Sequence, residues 1–238
     1  MSPHPNWRRH PLGSTWWDPR RPDWWMGVLF AIGASCFAIG AMPGYVEAVG
    51  VGADGVTYFV GSIFFTTAGY LQVREACDGR WFAWHPRRAA WVAAVVQSVG
   101  TLFFNASTFH AMEQNLSASQ ANQLVWRPDA FGSICFLVAS GIAWRCVAHR
   151  WWTWQPGLLA WWIAGLNLLG SIAFGVSAIA AKVVPETDQA RNVALMNLGT
   201  FLGALGFLVA AILLLPERTG DDTRVEGGVE GGEPAVRA

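Results

Sequence analysis

The chain has 238 residues, of which 53% are hydrophobic and 13% charged, against about 25% charged in an ordinary soluble domain. Lys and Arg (16) balance Asp and Glu (16), so no basic field points to nucleic acid and no acidic tract to a polycation. Cys36, Cys77, Cys135 and Cys146 form no Cys-x-x-Cys pair; they read as reduced, buried thiols, and neither a disulfide framework nor a metal site is expected.

Residues 1–23 read as a cytoplasmic segment carrying Arg8, Arg9, Arg20 and Arg21. Six apolar runs follow, at 24–43, 56–73, 89–110, 128–148, 157–182 and 192–215. A bilayer core needs about 20 apolar residues per helical crossing, and lipid leaves the backbone no alternative to pairing within the segment. The expected fold is therefore all-α and integral to the membrane, a six-transmembrane helical bundle over 24–215. The run at 56–73 is the shortest of the six and relies on local thinning or snorkelling ends. Residues 216–238, with paired glycines and acids, read as a disordered cytoplasmic tail.

The arginines set the orientation. Connection 44–55 has no positive residue, while 74–88 holds Arg74, Arg80, Arg87 and Arg88. The fourth connection has Arg127, the fifth Arg145 and Arg150, and the sixth Lys182 and Arg191. The positive-inside rule then puts both termini in the cytoplasm, and the protein is expected in the plasma (inner) membrane. Trp16, Trp17, Trp24, Trp25, Trp81, Trp84, Trp91, Trp144, Trp151, Trp152 and Trp154 fall near the expected cytoplasmic boundaries, where an indole suits the headgroup layer.

Each run carries one motif: glycine, a small residue, two free positions, phenylalanine, two free positions, a small residue. It reads Gly33-Ala34-Phe37-Gly40, Gly61-Ser62-Phe65-Ala68, Gly100-Thr101-Phe104-Ser107, Gly132-Ser133-Phe136-Ala139, Gly170-Ser171-Phe174-Ser177 and Gly203-Ala204-Phe207-Ala210. Positions i, i+4 and i+7 share a helix face, so the motif presents small, large, small to a neighbour. Lipid offers little hydrophobic drive between helices, and close contact must hold them together. Successive motif glycines are 28, 39, 32, 38 and 33 residues apart. Short steps alternate with long ones, which predicts three helical-hairpin repeats at 24–73, 89–148 and 157–215.

The first hairpin, Gly33 to Gly40 followed by Gly61 to Ala68, resembles the YrhK-like family of small bacterial membrane domains, and the third hairpin resembles it as well. The resemblance implies a multi-pass membrane protein and supplies no catalytic residue.

Polar residues within the runs, Gln97, Thr101, Asn105, Thr108, Asn167 and Asn197, serve either as interhelical hydrogen bonds or as the lining of a ligand or water path. The candidate ligand site is the outer end of the second hairpin. There Asn105, His110, Glu113, Arg127 and Asp129 are expected at one mouth of the bundle, suited to a polar or anionic small molecule. The competing reading makes Trp126 an interface anchor, Arg127 a headgroup contact, and Pro128-Asp129 the opening of the fourth helix. No metalloprotease, nucleophile-elbow or phosphate-loop motif occurs, and no cofactor or catalytic residue is expected. The function expected is a non-enzymatic binding or membrane-organising role, with a bilayer and a protein partner or a second copy as the interacting species. A small-molecule transporter or channel, and a membrane redox enzyme, are the alternatives.

Overall fold

The computed structural model describes residues 16–113, 115–148 and 154–229, with side chains up to Leu215. Arg8, Arg9, His149, Trp151, Trp152 and residues 230–238 lie outside the described residues. The elements in order are α1 (Pro22–Gly40), α2 (Tyr45–Val49), α3 (Val51–Ala76), α4 (Ala89–Ala111), α5 (Ala118–Gln120), a π turn (Ala121–Trp126), α6 (Arg127–Ala148), α7 (Leu159–Ala181), the ribbon β1 (Val183–Val184) and β2 (Gln189–Ala190), and α8 (Val193–Val229). Among the described residues the only strands are those of this ribbon, which pair antiparallel; the regular structure is otherwise helical.

Four helical runs are long and apolar enough to cross a membrane: Ala89–Ala111, Ala118–Ala148, Leu159–Ala181 and Val193–Leu215. The apolar part of α1, Trp24–Gly40, is shorter. α3 is long, but Asp54, Thr57, Ser62, Thr66, Thr67, Gln72, Arg74 and Glu75 dilute its apolar character. Length and composition thus make this a membrane-embedded helical protein.

The long helices pack as a closed ring, each touching the next in chain order, with α8 returning to α1. Neighbours run antiparallel: Gly33 faces Gly61 and Phe65, while Gly40, further along α1, faces Tyr58 and Asp54, earlier in α3.

In three neighbouring pairs the contact is reciprocal. A Cβ at Gly33 would lie 2.5 Å from the Phe65 ring, and one at Gly61 3.1 Å from the Phe37 ring. At Gly132 it would meet the Phe104 ring at 3.0 Å, and at Gly100 the Gly132 carbonyl at 3.2 Å. At Gly203 it would meet Phe174 at 2.5 Å, and at Gly170 the Gly203 carbonyl at 2.9 Å. Glycine is required because two backbones meet there, and the ring from each helix covers the notch in the other.

The six rings converge on the axis. Phe37, Phe104 and Phe174, from α1, α4 and α7, form one triangle with centroids 6.2, 6.0 and 5.9 Å apart. Phe65, Phe136 and Phe207, from α3, α6 and α8, form a second at 6.2, 6.1 and 5.7 Å. Pairs at 5.7, 5.0 and 5.5 Å join the triangles. All six rings are buried. Edge-to-face and stacked rings at such spacings attract beyond simple contact.

One end of the bundle is built from a turn used three times. Trp17-Asp18-Pro19, Trp84-His85-Pro86 and Trp154-Gln155-Pro156 each stand seven residues before a second tryptophan, Trp24, Trp91 and Trp161, near the start of α1, α4 and α7. In each turn a backbone N–H donates three residues back: Arg21 to Asp18 at 3.2 Å, Arg88 to His85 at 2.9 Å, Leu158 to Gln155 at 3.1 Å. Proline suits the second position of such a turn. The two indoles then meet edge to face at 5.1, 5.1 and 5.0 Å, with interplanar angles of 69°, 70° and 71°. The first tryptophan of each pair is exposed and the second is buried. Trp24 and Trp91 therefore pack into the protein rather than standing as interfacial anchors, because a neighbouring indole covers each.

One expectation about the ends needs correction. The fourth helical run begins at Ala118, not 128. Ser117 caps it, accepting from the Gln120 N–H while the Gln120 side chain returns to the Ser117 N–H, a capping box. Pro128 sits within this run, two residues past the end of the π turn. Lacking an N–H, it cannot bond to the preceding turn, and the backbone widens there. At the C-terminal end, α8 continues past its apolar part, through Pro216 to Val229. Its apolar part does end at Leu215.

Replacing Gly170 with Leu should destabilise the protein by about 1–3 kcal/mol, because the obstructing atom is a backbone carbonyl. Gly141→Leu, where a Cβ meets nothing within 4 Å, should change stability by no more than about 0.5 kcal/mol. Thermal unfolding in detergent distinguishes the two.

Candidate functional site

The residues expected at the outer mouth fall into separate pieces. Asn105 on α4 donates through Nδ2 to Thr66 Oγ1 of α3 at 2.8 Å, and its Oδ1 is buried without a partner. His110 Nδ1 and Glu113 Oε1 lie 2.8 Å apart and partly exposed, at the end of α4. Arg127 is exposed and Asp129 half-buried at the start of α6. Among the described residues, no hydrogen bond or ion pair joins these pieces. Asp129 also does not stand at a free helix start, since the run ahead of it is already helical and the Arg127 N–H is taken by the Asn122 carbonyl.

What organises this end is the π turn. Asn122 holds Val183 at both backbone groups: Nδ2 donates to the Val183 carbonyl at 2.8 Å, and the Val183 N–H donates to Oδ1 at 2.9 Å. Trp126 Nε1 donates to the Ala178 carbonyl at 2.8 Å, and Lys182 Nζ stands 5.3 Å from the Trp126 ring centre, a cation–π contact. Ser107 donates to the Val125 carbonyl at 2.9 Å, satisfying an acceptor within the wide turn. Trp126 is therefore held by α7 as well as by its own helix. These contacts lock α6 to the end of α7.

The site with room for a ligand lies on the other side of the phenylalanine rings. A cavity of about 240 Å³ is lined by residues of all six long helices, just under the ~300 Å³ at which small-molecule pockets begin. Phe65 and Phe207 form its floor, and Met26, Ala93, Ala143, Ile163 and Leu214 its walls. Gln72, Gln97, Ser140 and Asn167 supply its polar groups. No Asp, Glu, Lys, Arg or His is among the lining residues. Ser140 Oγ is occupied, donating to the Phe136 carbonyl at 2.7 Å. Gln72 Oε1 is buried and accepts no hydrogen bond. A wider furrow of about 510 Å³, on the outward side of α6 around Gly141 and Arg145, is flanked by exposed Leu137 and Val138 and is a surface groove rather than an enclosed site.

Register explains where the polar groups come from. Phe30, Gln97 and Asn167 each stand three residues before a motif glycine, in α1, α4 and α7. Gln72, Ala143 and Leu214 each stand eleven residues after one, in α3, α6 and α8. Corresponding positions are thus phenyl in one helix and carboxamide in the next two, or carboxamide, methyl and isobutyl. Aligning the runs on their glycines would have found this site, since the same axial level carries unlike side chains.

Near the bundle's tryptophan-rich end, Cys77 is fully buried. The Ala83 N–H donates to its Sγ at 3.3 Å, and Sγ lies 3.4 Å from the Ala83 carbonyl. It therefore braces the loop before α4. Among the described residues no group of three or more His, Cys, Asp or Glu side chains could hold a metal ion.

Fold and cavity define a class: an all-helical, membrane-embedded protein with an uncharged axial cavity. Compared with known proteins, the chain matches no family model, no curated protein and no solved structure.

Asn122→Ala removes the partner of two backbone groups and should cost about 1–3 kcal/mol. His110→Ala, which breaks a partly exposed pair, should cost less than about 1 kcal/mol. Unfolding in detergent tests the contrast, and equal effects would contradict the assignment of the π turn as the lock.

Proposed function

We propose that this chain is a six-span, multi-pass inner-membrane protein with both termini cytoplasmic, built as three hairpins, which binds a small molecule in the axial cavity facing the cytoplasm. Reciprocal glycine–phenylalanine contacts in three helix pairs support the hairpin reading. So does the turn of two tryptophans and a proline found before α1, α4 and α7. Orientation rests on the arginines of the connections, which crowd the tryptophan-rich end. A kinship with the YrhK-like family rests on the Gly33–Gly40 and Gly61–Ala68 stretches alone.

One observation carries the binding reading. The cavity draws on all six long helices, and two triangles of buried rings close the axis beside it. A continuous pore would need those rings to part. A blind cavity with hydrogen-bonding groups is suited to holding a ligand from one side. The polar groups at the opposite end, spent on the contacts of Thr66, Val183 and Ala178, favour a structural role there.

Ala143→Cys should react with a small, uncharged but membrane-impermeant thiol reagent in inside-out vesicles and stay protected in right-side-out vesicles, measured against the four native cysteines replaced by Ala. Reaction from the outer face, or from neither face, contradicts the proposal.

A further inference from the structure

We infer that the axial cavity takes a neutral molecule with an apolar body and one hydrogen-bond donor, a hydroxyl or an N–H, which is received by the Gln72 carboxamide oxygen. The inference rests on the binding role proposed above and specifies its ligand. Three observations converge on it. First, the lining holds no ionisable side chain, so an ion entering it would lose hydration without gaining a counter-charge. Second, the floor and walls are phenyl, thioether and branched aliphatic groups from Phe65, Phe207, Met26, Ile163 and Leu214, which suit an apolar body better than a cluster of waters. Third, the Gln72 Oε1 acceptor is buried and unpartnered. A buried acceptor left without a donor is costly; Oε1 has no surface open to the cavity as it stands, and a turn of the carboxamide toward a ligand that donates to it recovers that cost.

Selectivity follows from the same asymmetry. A site built around an unsatisfied polar group rejects the analogue that lacks the matching group far more strongly than one that differs in apolar bulk. Gln97 and Asn167, which occupy corresponding places on α4 and α7, each offer both donors and acceptors. They would fix the orientation of the bound polar group.

The test compares three probes of one shape on the purified full chain in detergent: phenol, toluene and benzoate. Binding is read by the shift in unfolding temperature and by saturation of tryptophan fluorescence. Ala143→Trp, which fills the cavity, serves as the control for partition into the micelle. Phenol should bind about tenfold more tightly than toluene, benzoate should not bind, and Gln72→Leu should bring phenol down to the level of toluene. Equal binding of phenol and toluene to the native chain, or tighter binding of benzoate, overturns the donor assignment while leaving a binding cavity in place. Should none of the three give a signal that Ala143→Trp removes, the binding role itself fails. The native-chain comparison stands whether or not Gln72→Leu folds.

Discussion

Helices surrounded by acyl chains gain little by exchanging lipid contact for helix contact, so a bundle persists only where surfaces fit more closely than lipid can. Here the fit is made by paired glycines. At Gly33 and Gly61, at Gly100 and Gly132, and at Gly170 and Gly203, backbone meets backbone and leaves no room for a methyl group. Each pair also carries two phenylalanines one turn further on, and these cannot lie in the notch and on the lipid side at once. They turn to the axis, where six rings pack against one another. The dispersion energy of one ring contact is small, but fully buried rings make many such contacts.

This packing determines where chemistry can occur. The level of the rings is filled. Toward the π turn, hydroxyl groups spend their hydrogen bonds on neighbouring helices: Ser62 with Thr108 at 2.9 Å, Ser177 with Thr200 at 2.7 Å. Toward the tryptophan-rich end the side chains at corresponding positions differ in size and polarity, and they do not close on one another. The cavity is therefore a departure from regularity within a regular frame. The three tryptophan turns frame that end, each covering an indole in the first turn of the helix that follows.

The glycine–phenylalanine stripe was legible in the sequence because its spacing is helical and it recurs within each apolar run. The fold class follows from it and from hydropathy. Other features were obscured by stronger signals. Pro128 reads as a helix start because proline favours that place, yet the capping box of Ser117 and Gln120 lies upstream of it, in a stretch rich in Ser, Asn and Gln that looks like a loop. The π turn has no simple sequence marker. The spacing of Trp17 to Trp24, Trp84 to Trp91 and Trp154 to Trp161 was present in the sequence but hidden among other tryptophans near the same boundary. The outer polar residues were grouped by chain proximity. In the fold, Asn105 turns to α3, and the residues that join α6 to its neighbour are Asn122, one polar residue among several in its stretch, and Trp126, whose indole would equally suit the headgroup layer. The cavity could not be found one run at a time, because its polar groups come from α3, α4, α6 and α7.

The notch-and-ring contact is tested most directly by a double-mutant cycle on Gly203 and Phe174, where an added methyl would stand 2.5 Å from the ring. Gly203→Ala alone should destabilise the protein, and in the Phe174→Leu background, where the ring is gone, the same change should cost markedly less. The account predicts a coupling of about 1–2 kcal/mol in detergent unfolding; costs that simply add would show that glycine and ring do not meet.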